Sequence, residues 1–339
     1  MNHNELIGYL KDAEPIKIME VCGTHTSAIF KSGIRSLISD NINLVSGPGC
    51  PVCVTPASAI DALIALAQDA VVLSFGDMFR VPGSQYSLAQ AKARGGKVRL
   101  IYSPFEALAL AKEQPRTRFV VAAVGFETTA PVFAALIEAL IREDIRNVTL
   151  YTALKTIPEA LEYICAHEQI DGFICPGHVS AVIGSAPYQA LARKYRKPFV
   201  IAGFEAEHIL AALYEIVMQK KSGRHEVANL YPSVVRDEGQ FKALNMIDKY
   251  FEKTNSFWRG IGEIAGSGYS IKKEYDYFSA NVSDSSGEDY LPEGCRCADV
   301  MLGRIMPMEC ALFGKTCTPQ SPVGPCMASS EGACSIFAE

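Results

Sequence analysis

From residue 16 to about 220 the chain alternates short β-branched runs with longer amphipathic stretches. That alternation is the signature of βα units, and it restricts the fold to an α/β architecture on mostly parallel sheets. Strands are predicted over residues 16–21, 42–46, 70–75, 97–102, 119–124, 148–152, 172–175 and 198–202. Helices are predicted between them, over 58–68, 104–112, 130–142, 158–167 and 205–220. Eight strands are many for one open sheet, and the segment EQPRTR at 113–118 is the most linker-like break. The pattern therefore predicts two Rossmann-like α/β domains with parallel sheets, over residues 15–115 and 116–225. A C-terminal cysteine-rich domain is predicted over 226–339. Its first part reads as a strand or turn, a helix, and then loops with short strands.

Charge and hydropathy remove several classes of function. The chain carries 32 Lys+Arg against 37 Asp+Glu, a formal charge of -5. Its pI of 5.8 is far from the basic footprint that nucleic acid selects, so no nucleic-acid partner is expected. The uncharged stretch 41–60 is long enough to cross a bilayer, but Pro48, Pro51 and Pro56 break it as a helix. No membrane span is expected. The N-terminal residues lack an apolar core of the secretory type, which points to a reducing, cytoplasmic setting. There, 11 cysteines need a reason other than a disulfide framework.

Unusual residues cluster just after the predicted strands. Residues 16–21 run into Cys22-Gly-Thr-His-Thr26, and 42–46 into Gly47-Pro-Gly-Cys-Pro-Val-Cys53. Residues 119–124 run into Gly125-Phe-Glu-Thr-Thr-Ala-Pro131, and 172–175 into Pro176-Gly-His-Val-Ser180. Open α/β sheets place their ligand crevices at the carboxyl ends of parallel strands, so one cleft could receive all four loops. Cys22 and His25 form C-x-x-H, and Cys50 and Cys53 form C-x-x-C. Brought together on adjacent strands, they offer three thiolates and an imidazole to iron or zinc. The spacing leaves open a thioredoxin-type redox pair, a closed structural zinc site and inert buried cysteines. Gly and Pro density in GPGCPVCVTP favours a rigid, exposed loop.

Glu127 precedes Thr128 and Thr129 at a strand-to-helix junction, where a threonine cap with Pro131 in the first turn is the plainer reading. Glu127 as a proton shuttle or substrate contact is the sharper one. His178 stands in the same position between a hydrogen-bonded structural residue and a catalyst. Cys165 and Cys175 read as small buried residues. No phosphate-binding glycine motif occurs, so nucleotide binding is unsupported.

The tail reads Cys295-x-Cys297-x12-Cys310-x6-Cys317-x8-Cys326-x7-Cys334. Few apolar runs accompany these thiols, so something bound to the cysteines is expected to order the segment. Six thiols exceed by two the four that an iron–sulfur cluster or a zinc site needs. A cluster with an adjacent redox dithiol is preferred, with a zinc ribbon and a disulfide-linked tail as alternatives.

The motifs CGTHT, GPGCPVCVTP, GFETTAP and PGHVS, in this order and followed by the six-cysteine tail, resemble those of the HypD family of hydrogenase maturation proteins. The likeness runs from about residue 15 to the C-terminus and includes AGFE at 202–205 and WRGIG at 258–262. It implies a scaffold on which the Fe(CN)2CO group of [NiFe]-hydrogenases is assembled, with a HypC-type chaperone and a HypE-type cyanide donor as partners. It implies two α/β domains and a [4Fe-4S] domain similar to that of ferredoxin–thioredoxin reductase. By this resemblance Cys22, Cys50 and Cys53 bind iron or shuttle redox equivalents beside it, and His25 and Glu127 line the same cleft. Cys295, Cys310, Cys317 and Cys334 then hold the cluster, with Cys297 and Cys326 as the dithiol. A free-standing disulfide reductase and a structural zinc protein are the rival readings, and the sequence leaves turnover as an enzyme open.

Overall fold

The computed structural model describes residues 3–282 and 290–339. In chain order its strands are β1 (Ile16–Glu20), β2 (Ile42–Ser46), β3 (Val71–Ser74), β4 (Val98–Leu100), β5 (Phe119–Gly125), β6 (Val148–Lys155), β7 (Gly172–Cys175), β8 (Phe199–Ile201), β9 (Val227–Asn229), β10 (Phe251–Trp258) and β11 (Gly262–Ile271). All eight predicted runs form strands, each end within three residues of its expected place.

The strands make two sheets. The first has the order β2-β1-β7-β8-β9 and is parallel throughout. The second has the order β10-β11-β6-β5-β3-β4. Its β4, β3, β5 and β6 are parallel, and β11 runs antiparallel to both β6 and β10.

Sheet membership does not follow the linear division at 115/116. Strands β1 and β2 pair with β7, β8 and β9, while β3 and β4 pair with β5 and β6. The polar stretch at 113–118 is a surface turn inside the second sheet, joining the helix Glu106–Glu113 to β5. Nor does the region after 226 stand wholly apart, since β9 extends the first sheet and the β10–β11 hairpin extends the second. Local composition marks a solvated turn, but pairing is decided by contacts far apart in sequence.

Strand β5 shows why these runs read so clearly. In FVVAAVG, Phe119, Val121 and Ala123 face one core while Val120, Ala122 and Val124 face another. Helix Ala130–Arg142 covers the first face through Phe133, Leu136, Ile137 and Leu140. Helix Ala57–Asp69 covers the second through Ile60 and Leu63. A strand buried on both faces is continuously apolar, and each fully buried side chain of this size contributes about 1.5–3 kcal/mol. In the first sheet Ile18, Ile174 and Val200 pack under helix Ala206–Ser222. Met19, Val21, Phe173 and Phe199 face the opposite way, into the core that also takes in the tail.

The tail lies over the carboxyl ends of the first sheet. Phe337 meets Phe30 of helix Gly23–Lys31 at 5.4 Å between ring centroids, and Arg35 lies 5.3 Å over the Phe337 ring. The β10–β11 turn joins both sheets and the tail. Trp258 is fully buried, stacks on Phe126 at 6.0 Å and donates Nε1–H to Ser267 Oγ at 2.8 Å. Arg259, also fully buried, donates its backbone N–H to Val54 O at 2.9 Å and Nε–H to Thr55 O at 2.7 Å. A third donation reaches Pro82 O at 2.8 Å. A buried cation thus ties the loop after β2 to the hairpin of the other sheet.

Candidate thiol and metal centre

Cys22 occupies the N-cap of helix Gly23–Lys31, with extended backbone. The turn is fixed by Glu20, the last residue of β1, whose side chain is 1 % exposed. Its Oε2 accepts the Cys22 N–H at 3.1 Å and its Oε1 accepts the Thr26 hydroxyl at 2.5 Å. Burial pushes the Glu20 carboxyl up to about 7, against the pull of these hydrogen bonds. The Cys22 sulfur faces the N–H groups of His25 and Thr24, yet burial dominates and raises the thiol to about 11. At neutral pH it keeps its proton until a cation displaces it. Glu20 had no place among the sequence candidates. Its signal was a carboxylate closing an apolar strand immediately before a cysteine turn.

His25 is fully buried, its Nε2 3.1 Å from Gly203 O, and burial lowers it to about 4, so the ring is neutral. It packs against Phe204 at 4.8 Å, and the other partner of that ring is the exposed His178, at 4.2 Å. The AGFE segment therefore joins the CGTHT and PGHVS loops through one aromatic ring.

The loop after β2 touches the turn after β1 directly. A Cβ on Gly49 would fall 2.6 Å from Cys22 Cα and 2.6 Å from Val21 C, so only glycine permits this approach. Cys50 and Cys53 are joined as a disulfide, with Cα atoms 5.3 Å apart. Contrary to the exposed loop expected from Gly and Pro density, they are 5 % and 1 % exposed. The reason is the tail. Cys50 Sγ lies 3.3 Å from Ser329 Oγ, and Cys53 Sγ lies 3.9 Å from Pro325 O. The Cys53 N–H also donates to Cys50 Sγ at 3.1 Å. A backbone N–H thus faces Cys50, whereas a carbonyl faces Cys53. Cys50, Cys53 and Cys326 line one small cavity together with Gly23, Gly47 and Gly49.

Adjacent strands bring the two loops into contact, but they do not form the four-donor set of Cys22, His25, Cys50 and Cys53. Two of those sulfurs are bonded to each other and His25 is turned to a carbonyl. Among the described residues no three His, Cys, Asp or Glu side chains converge on a point that could hold a metal ion.

In the tail, Cys326 shares thiol hydrogen bonds with Cys297 and Cys334, and Cys295 with Cys297. These contacts drive the Cys326 thiol up and Cys334 down from their ordinary values. Burial raises the Cys317 thiol, which accepts the Val323 N–H at 3.4 Å. The Gly324 backbone forms the floor beneath the C-x-C pair, where a Cβ would sit 2.5 Å from Cys295 Sγ and 2.6 Å from Cys297 Sγ. Cys310 Sγ lies 4.0 Å from Gly294 O. Five clustered soft donors suit iron–sulfur chemistry. A cubane holds its thiolates apart around its corners, so convergence on a single point is not the geometry it requires.

Glu127 is 2 % exposed and lies in the turn that follows β5 of the second sheet. Its Oε1 accepts the Ile157 N–H at 2.9 Å, capping helix Ile157–His167, and its Oε2 has no hydrogen-bond partner among the described residues. Thr129 is the N-cap of its own helix, but its hydroxyl donates to Phe126 O at 3.1 Å instead of capping. Buried Tyr188 bonds Ser180 at 3.1 Å, and burial pushes its phenol well above the ordinary value. Burial raises the Cys165 thiol to about 12 and Cys175 well above its ordinary value, as expected of inert core residues.

These features define a class: a two-sheet α/β protein whose strand-end loops and cysteine-rich tail gather redox-capable thiols into one buried region. The family model described as "HypD: Hydrogenase formation hypA family" matches residues 3–339. The chain is 42 % identical to hydrogenase maturation factor HypD of Rhodobacter capsulatus, over 96 % of this chain and 89 % of that one. It is 41 % identical to hydrogenase maturation factor HypD of Escherichia coli, over 95 % and 88 %. It is also 41 % identical to hydrogenase expression/formation protein HupD of Azotobacter chroococcum, over 96 % and 89 %. The chain belongs to the HypD family of hydrogenase formation proteins.

Proposed function

We propose that the chain is the scaffold on which the Fe(CN)2CO group of a [NiFe]-hydrogenase is assembled, with redox input from its own tail. The observation that carries this reading is the seating of Cys326 and the Cys50–Cys53 disulfide around one cavity beside the Cys22 turn. Cys22 binds iron as its thiolate, since a bound cation displaces a proton that burial otherwise retains. Cyanide and carbonyl leave few positions for protein ligands, so a cysteine of a HypC-type chaperone shares the iron. A HypE-type donor supplies cyanide. The Cys297 and Cys326 thiols reduce the Cys50–Cys53 disulfide by exchange, freeing two thiols next to the iron. A [4Fe-4S] cluster on Cys295, Cys310, Cys317 and Cys334 supplies one-electron reduction when bound. Neutral His25, His178 and Glu127 shape the surrounding pocket. We assign the reaction to the cytoplasm. Separately, among the described residues no helix is long and apolar enough to cross a membrane.

Infrared spectroscopy of protein purified anaerobically with its small partner tests this. Cyanide and carbonyl bands are expected, and Cys22→Ala should abolish them. Bands that persisted in that variant would overturn the assignment of Cys22. The bonded Cys50–Cys53 pair also favours a disulfide reductase. Such an enzyme would reduce an external disulfide with no cyanide donor and carry neither band.

A further inference from the structure

Two charged residues outside every motif named above reach from the second sheet onto the tail. Asp77 and Arg80 lie in the turn after β3, in the segment FGDMFR. Asp77 Oδ2 accepts hydrogen bonds from Ser329 Oγ at 3.1 Å, from the Ser330 N–H at 2.9 Å and from Ser330 Oγ at 2.8 Å. Arg80 donates to Ala328 O at 2.8 Å and to Pro319 O at 3.0 Å. Between these anchors lies the one-turn helix Pro325–Ala328, which carries Cys326. The same Ser329 hydroxyl sits 3.3 Å from Cys50 Sγ, on the first sheet. Five hydrogen bonds, each with one ionised partner, thus fix the tail where its buried thiol shares a cavity with the disulfide.

We propose that Asp77 and Arg80 are positioning residues for thiol–disulfide exchange: they clasp the Cys326 turn in register with the Cys50–Cys53 disulfide. This deepens the redox reading above and rests on it. In the exchange, the Cys326 sulfur attacks Cys53 Sγ as its proton leaves. A Cys326–Cys53 bond forms, the Cys50–Cys53 bond breaks, and Cys50 leaves with the electron pair. Cys50 is the better leaving sulfur because the Cys53 N–H donates to it, whereas Cys53 Sγ faces the Pro325 carbonyl. It takes up the proton that Cys326 gave up. The Cys297 thiolate then attacks Cys326 Sγ, forming Cys297–Cys326 and releasing Cys53, which takes the second proton. Two electrons move from one dithiol to the other pair, and no outside reductant enters. Exchange needs the attacking sulfur in line with the bond that breaks, so loss of the clasp should slow it while the disulfide itself persists.

The test uses the full chain carrying Cys297→Ser, which cannot resolve the mixed disulfide and should accumulate it. Acid-quenched, alkylated protein is digested, and the Cys326–Cys53 peptide is quantified by mass spectrometry. Asp77→Asn and the exposed Arg80→Gln, each added to that background, should lower its yield at least about fivefold. The Cys50–Cys53 peptide should form as before, and melting should fall by only about a few degrees. Asp77→Glu and Arg80→Lys should recover much of the yield, which a merely structural defect would not. Undiminished mixed disulfide in both Asp77→Asn and Arg80→Gln would overturn the clasp and leave the redox reading standing. No mixed disulfide with Asp77 and Arg80 intact would overturn both.

Discussion

The Glu20 carboxylate accepts the backbone N–H of Cys22 at 3.1 Å. Through this bond the last residue of an apolar strand sets the direction of the thiol that follows it, and the Thr26 hydroxyl on the other oxygen closes the turn. Replacing Glu20 by Ala orphans the buried Cys22 N–H and leaves the Thr26 hydroxyl only its longer bond to Cys22 O at 3.3 Å. At about 1–3 kcal/mol for an unsatisfied buried group, a loss of about 1–3 kcal/mol in unfolding free energy is expected. Glu20→Gln keeps one acceptor and should lose about half as much. Denaturant midpoints at constant slope measure both, and equal stability of Glu20→Ala and wild type would remove Glu20 from this role.

Gly49 decides whether the two N-terminal cysteine loops can touch. A Cβ there meets Cys22 Cα and Val21 C, which are backbone atoms and cannot swing aside. Gly49→Ala should cost about 1–3 kcal/mol, in the range of an overpacked core. It should also hasten reduction of the Cys50–Cys53 disulfide by dithiothreitol, because the loop must lift from beneath the tail. Wild-type reduction kinetics in this variant would show that the two loops move independently.

Much of this was legible in the sequence, for identifiable reasons. Strands such as β5 are apolar on both faces, and the strand-end loops carry residue types that turns and helix starts rarely combine. The β10–β11 hairpin was harder to read, because FEKTNSFW alternates weakly and much of it faces solvent. Pairing of β1 with β7, residues about 150 apart in the chain, leaves no local trace. Burial of the C-x-x-C loop was missed for a related reason. Its Gly and Pro content describes the loop's own stiffness, while its exposure is set by Pro325 and Ser329 arriving from the far end of the chain. Arg259 is a further case, a surface-type residue whose three carbonyl acceptors come from two distant loops.

Gly324 offers a separation of fold from cofactor loading. The atoms a Cβ would meet there are the Cys295 and Cys297 sulfurs, the mobile ends of side chains. Without a cluster they can rotate away, so apo Gly324→Ala should melt close to wild type. Sulfurs fixed on a metal cluster cannot rotate, so iron and acid-labile sulfide per chain should fall severalfold after anaerobic reconstitution. Full loading of Gly324→Ala would mean that Cys295 does not hold the cluster.

Glu127 should make stability depend on pH. Burial raises its carboxyl to about 8, the bonds from its own N–H and that of Ile157 oppose this, the nearby Glu159 adds to it and Lys253 subtracts. The unfolded chain has the ordinary value of 4.5. Because the folded value lies above the unfolded one, the stabilising form is the neutral acid. Its contribution is fully present below pH 4.5 and is lost as pH rises through about 8. At 1.36 kcal/mol per unit, the loss across that window is a few kcal/mol. Glu127→Gln keeps an acceptor for the Ile157 N–H and cannot ionise. It should match wild type near pH 5 and exceed it by about 2–4 kcal/mol near pH 8.5. Urea titrations of both proteins across that range measure the difference directly, and parallel stability curves would show that Glu127 ionises as readily in the folded chain as in the unfolded one.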